Sequence, residues 1–150
     1  ARLADRRRPL GGSGPVTGAL SGANAARQLF EYAVLRVVPR VERGEFINAG
    51  VILYSRPRSF LGARTHLDPG RLRALDAQAD TEGVRAALRA AERVCAGGPA
   101  AGPAAGDDPG RRFRWLVAPR STVVQPGPVH TGLTDDPAAE LERLHRLLVR

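Results

Sequence analysis

Between Phe30 and Pro39 the chain reads FEYAVLRVVP, with Tyr32, Val34 and Val38 alternating against Ala33, Leu35 and Val37. Both sets are apolar and rich in β-branched residues, the pattern of a central strand covered on both faces. Pro39 ends it, because proline has no N–H to give to a ladder. The charged stretch RVERGE follows, with Gly44 placed for a turn that needs positive φ. FINAGVILYS, Phe46 to Ser55, predicts a second strand, and FLGARTHL, Phe60 to Leu67, a weaker third. The connections are short, so the three are expected to form an antiparallel meander.

Beyond Leu67 the period changes. Asp68-Pro69 is a helix start, with aspartate as cap and proline in the first turn, and Leu72 and Leu75 give that short helix an apolar side. Asp80 or Thr81 starts another, running to about Ala96, in which Val84, Leu88, Ala91 and Cys95 follow the 3.6-residue period. GGPAAGPAAGDDPG has no β-branched or aromatic residue, which predicts a flexible loop at about 97–110. Order resumes at RRFRWLVAP, where Phe113, Trp115, Leu116 and Val117 carry much of the second half's apolar bulk. Val123 and Val124 suit a short edge strand over 121–125 joining the same sheet, and Pro126 and Pro128 limit its ladder. A last helix is expected over 137–149, capped by Thr134, Asp135 or Asp136, with Leu141, Leu144 and Leu148 as its stripe. The predicted fold class is α/β (α+β): one domain over 28–149, with a largely antiparallel sheet packed against two main helices.

Composition changes this picture at the N-terminus. Residues 1–27 offer no apolar face to bury, so they are expected to form a disordered, arginine-containing tail. The chain opens on Ala1 rather than methionine, as a fragment or a misassigned start would. All 23 basic residues are arginine, against 15 acidic residues, for a net charge of +8. Exclusive arginine beside abundant alanine and glycine points to G+C-rich coding rather than to a nucleic-acid surface. Five arginines and one aspartate lie in the tail, so the remaining 18 basic and 14 acidic residues leave +4 for the rest. Nucleic-acid binding is therefore expected to be weak, salt-dependent and non-specific at most. Cys95 is the only cysteine, which excludes an intramolecular disulfide and a multi-thiolate zinc cluster. No segment has the length to cross a bilayer and no signal-peptide stretch is present, so the expected location is cytoplasmic.

Two polar clusters are candidates for chemistry. Glu42, Arg43, Glu45 and Asn48 lie between the first two strands. They read either as a turn-fixing network or as a binding mouth in which Arg43 meets an anion and Glu45 orients it. Asn48, amid apolar strand residues, must be hydrogen-bonded, for instance to the turn backbone. Glu42 and Glu45 have the spacing of a divalent-metal pair, but no third ligand is identifiable. The second cluster is Arg120, Ser121, Thr122, Gln125 and His130. Arg120 beside two hydroxyls suits a phosphate or carboxylate, or the cluster is a hydrogen-bonded edge strand and loop. Ser121 with His130 lacks an orienting carboxylate and an oxyanion hole. In the last helix Glu142 and His145 read as an ordinary i,i+3 surface contact. There is no dinucleotide fingerprint and no phosphate loop, and no metal or cofactor is expected.

YAVLRVVPRVERGEFINAGVILY resembles the start of the bacterial DUF3037 family, and RFRWLVAPRSTVVQPGPVHTGLTDDPAAELERL resembles its second block. The resemblance maps onto Arg40, Glu42, Arg43, Glu45, Phe46, Asn48 and Gly50, then onto Phe113, Trp115, Arg120, Ser121, Thr122, Gln125 and His130; Gly127 departs from it, where the family pattern favours serine. Members are small proteins of unknown activity, some resembling genomic neighbours of HipA-like kinases. The resemblance thus implies an accessory role. The expected function is a non-enzymatic accessory or regulatory domain binding a protein partner, with a HipA-like kinase as one such partner. The alternative is an enzyme or binding protein for a phosphorylated or nucleotide-like small molecule. There Arg43, Asn48, Arg120, Thr122 and Gln125 would hold the ligand, and Glu45, Ser121 and His130 are the catalytic candidates.

Overall fold

The meander predicted by the alternating pattern is present in a computed structural model that describes residues 26–150. The expected tail lies, apart from its last two residues, outside the described residues. Strands β1 (Gln28–Val37), β2 (Ile47–Ser55) and β3 (Phe60–Thr65) pair antiparallel in sequence order. The chain continues through helices α1 (Pro69–Leu75) and α2 (Thr81–Ala96), a 3-10 turn (Pro99–Ala104) and helix α3 (Pro109–Val117). It closes with strands β4 (Val124–Pro126) and β5 (His130–Thr134) and helix α4 (Pro137–Leu148). Gly44 takes the positive φ of 70° that its turn requires.

The sheet runs β3-β2-β1, and β1's far edge is shared. β4 pairs with Leu35–Val37 and β5 with Gln28–Tyr32, both antiparallel. The Gly127 N–H donates to the Val34 carbonyl at 2.7 Å, so β4 and β5 act as one broken strand. Between Pro126 opposite Leu35 and His130 opposite Tyr32 the outer chain has one residue more than β1 and bulges. Two prolines without N–H groups explain the break. The edge strand expected over 121–125 thus starts three residues later, and β5 is an addition. HTGLT carries no dense β-branched run, and its glycine is required by packing: a Cβ at Gly132 would meet the Phe30 ring at 2.6 Å.

Each face of the sheet has its own core. Leu35, Val37, Ile52 and Ala63 pack under Leu72 of α1, Val84, Leu88 and Cys95 of α2, and Phe113 and Leu116 of α3. Phe30, Val51 and Leu53 pack under Leu141 and Leu144 of α4 and under Val149. A register shift opposite Leu35 and Arg36 leaves Ala49 unpaired between Asn48 and Gly50. That bulge puts Ala49 and Ile52, three residues apart, on the same face.

Four aspartates cap the helices: Asp68 accepts from Gly70 N, Asp80 from Gly83 N, Asp108 from Arg111 N and Asp136 from Ala139 N, at 2.9–3.1 Å. Asp108-Pro109 is the same start signal as Asp68-Pro69 and Asp136-Pro137, and it makes the predicted loop end early. Residues 109–117 are a helix, so the first face carries three helices where one main helix was expected. The rest of the 97–110 segment holds the 3-10 turn, with Ala101 buried.

Candidate functional site

The β1–β2 turn is built from near-neighbour ion pairs. Arg40 Nε donates to Glu42 at 2.9 Å, and Arg43 donates to Glu45. Both pairs are exposed, where such pairs contribute little stability. Glu42's carboxyl is held below its ordinary value by a backbone hydrogen bond and then by Arg40, while the bond to Glu45 raises Arg43. Asn48 does not bond to the turn as expected. Its Nδ2 donates to the carbonyl of Leu148, at 3.0 Å, across 100 residues of chain. The bulge turns Asn48 toward the C-terminal end of α4, where the last carbonyls lack helical partners.

Arg120 and Thr122 lie at an apolar cleft of about 690 Å3 between α2, α3 and β4. Leu35, Val84, Ala87, Ala91, Val94 and Leu116 line it. Its lip carries Trp115 of α3, 55% exposed, and Val123 just before β4, 40% exposed. The Arg120 guanidinium sits 4.8 Å over the Trp115 ring and donates to the Trp115 and Ala118 carbonyls. Among the described residues no carboxylate pairs with it. Asp76, Gln78 and Asp80 line the cleft from the α1–α2 connection. Thr122 Oγ1 donates to the Val124 carbonyl at 2.8 Å, a turn-fixing bond.

Ser121 and His130 do not meet. Ser121 is exposed before β4. His130 stands opposite Tyr32, ring centroids 5.2 Å apart. Val124 pairs with Val37, five residues further along β1, so the ends of the second block are about 16 Å apart at strand rise. Gln125 instead pairs with Arg36, which on its other side pairs with Asn48. The fold therefore joins one residue from each polar cluster through an arginine that the sequence reading left unremarked. The available signal was a charge set between Leu35 and Val37 in the most apolar part of the strand.

Two further groups depart from or complete the expectations. His145 is buried rather than at the surface, and Glu142 binds Arg64 of β3 instead. His145 follows Leu141 by four residues, so it falls on the stripe that faces the sheet. Burial pushes its pKa down. Cys95 is buried, and burial pushes its thiol up to about 12, an unreactive state. The described residues hold no cluster of three or more His, Cys, Asp or Glu side chains able to bind a metal, and no helix long and apolar enough to cross a membrane.

A family described as "Protein of unknown function (DUF3037)" matches residues 32–149, which spans both polar clusters, the cleft and the Arg36 row. The chain belongs to that family. No curated protein and no solved structure matches it.

Proposed function

We propose that this DUF3037 protein is a non-enzymatic accessory domain that binds a protein partner in the cleft between α2, α3 and β4. The observation that supports this reading is the cleft itself: apolar walls beneath an exposed tryptophan and an arginine without a carboxylate. Apolar surface rimmed by polar groups is a common mark of a docking site, and Trp and Arg are the residue types that most often anchor one. The occupant is an apolar segment of the partner with an acidic side chain next to it, which Arg120 receives through its unused N–H groups. A HipA-like kinase, the neighbour that the family resemblance implies, is the first partner to test. The catalytic alternative draws less support, since Glu45 is held by Arg43 and Ser121 lies far from His130.

A photo-crosslinking side chain at position 87, inside the cleft, tests the reading in the native host. The expected result is one dominant protein adduct that disappears in an Arg120→Glu background. The same crosslinker at Arg89, on the exposed side of α2, should give no such adduct. Equal adducts from both positions, or none from position 87, would contradict the proposal.

A further inference from the structure

We infer that Arg36, flanked by Asn48 and Gln125, forms a binding site for the carboxylate of a small organic acid on the face of the sheet opposite the cleft. The three side chains occupy one cross-strand row, Asn48 on β2, Arg36 on β1 and Gln125 on β4. Side chains opposite each other across a ladder lie within reach of one ligand group. Helix α4 packs mainly on β2 and β3, and Arg36 and Gln125 stay partly exposed where β1 meets β4.

The guanidinium is packed against an aromatic ring and a glycine. Its central carbon stands 4.3 Å from the centroid of the Phe46 ring. It also abuts Gly127, where an added Cβ would meet Cζ and Nε at 3.1 Å. Arg36 is partly buried, and its Nε is fully enclosed with no acceptor. Arg40, Arg43, Arg64, Arg85, Arg114 and Arg143 each have a carboxylate partner; among the described residues Arg36 has neither an ion pair nor a hydrogen bond. A cation drawn partly out of water with no counter-charge is unfavourable. A fixed, unpaired guanidinium is also a preorganised fork for a planar oxyanion.

The surroundings select the class of anion. One guanidinium supplies one positive charge. The C-terminal end of α4 brings the Leu148 carbonyl up to Asn48, and this negative end of the helix dipole disfavours a dianion. The Gln125 carboxamide makes no hydrogen bond among the described residues and can donate to the second carboxylate oxygen. Phe46, 44% exposed beside the guanidinium, offers apolar contact to the acid's carbon skeleton. The site is independent of the cleft: Leu35 lines the cleft and Arg36 points to the other face.

The test follows the Arg36 Nε–Hε signal by nitrogen-15 NMR during titration at constant ionic strength. The probes are sodium acetate, sodium benzoate and inorganic phosphate, with chloride as reference. Both carboxylates should give saturable shifts, benzoate binding about threefold tighter than acetate through the Phe46 ring. Phosphate dianion should bind about tenfold more weakly beside the helix C-terminus. Gln125→Ala should weaken acetate about threefold by loss of one hydrogen bond, Arg36→Gln should abolish the response seen at neighbouring amides, and Arg40→Ala should leave it unchanged. If Arg36→Gln does not fold, Gln125→Ala decides. No saturable shift beyond chloride, a shift indifferent to Gln125→Ala, or tightest binding by phosphate would overturn the assignment.

Discussion

The two faces of the sheet are finished differently, although β1 supplies both. On one side Leu35 and Val37 meet three helices, and the imperfect seal between α2, α3 and β4 leaves an apolar cleft. On the other side a single helix lies mainly over β2 and β3 and meets β1 at Phe30, and the end of β1 beyond it carries the Arg36 cation. Adjacent residues of a pleated strand point to opposite faces, so a one-residue step in sequence separates an apolar docking surface from a polar ligand row. Incomplete helical cover therefore has two chemical outcomes here, and the β1 residue beneath each gap decides which.

The largest expected effect compares the two covers. Phe113→Ala removes a fully buried ring from the three-helix side and should cost about 3–5 kcal/mol. Leu141→Ala on the α4 side should cost about 2–4 kcal/mol, because its single helix sits at an open edge and can settle inward. Chemical denaturation of both variants checks this, and a larger loss for Leu141→Ala would invert the comparison.

Asn48 ties the smaller cover down. Asn48→Ala leaves the Leu148 carbonyl without its donor, at an expected cost of about 1–2 kcal/mol. Hydrogen exchange should then speed up in α4 and leave α2 at its wild-type rate; equal acceleration in both helices would show that the two faces are not independent.

His145 adds a pH dependence confined to the α4 face. Its folded pKa is lowered by burial; the nearby charges are Glu142, which opposes the shift, and Arg150, His66 and Arg64, which reinforce it. The folded state disfavours the proton that the unfolded state binds near the ordinary histidine value of 6.5. The neutral histidine's contribution is therefore complete above that value and is lost as pH falls from it toward the lowered folded value. His145→Leu should flatten the stability profile in this window, whereas an unchanged slope would assign it to other groups. The smallest effect concerns Cys95: its buried thiol should resist iodoacetamide in the native protein and react only on unfolding.

Much of the fold was legible because local signals agreed with tertiary need. The β1–β2–β3 alternation, the Asp-Pro helix starts and the Gly44 turn each carry a local physical cause. α3 was obscured because its Asp108-Pro109 start sits inside a glycine-alanine run that reads as loop. β5 was obscured because its pairing depends on the Phe30 ring crossing Gly132, a contact 102 residues apart that no local pattern encodes. The candidate site was legible in parts. Asn48 and Gln125 stood out as polar residues, but their meeting through Arg36 depends on strand register. The cleft depends on how α3 packs, and α3 was the helix that went unread.

Whether the cleft is the docking surface is tested most directly by the affinity of the crosslinked partner for the wild-type protein and for Ala87→Trp. Ala87 is exposed and lines the cleft, so an indole there fills the space without disturbing the core. The expected result is a loss of at least about hundredfold in affinity, some 2.7 kcal/mol, with an unchanged unfolding midpoint and an unaltered Arg36 response to acetate. Wild-type affinity in Ala87→Trp would contradict docking in the cleft.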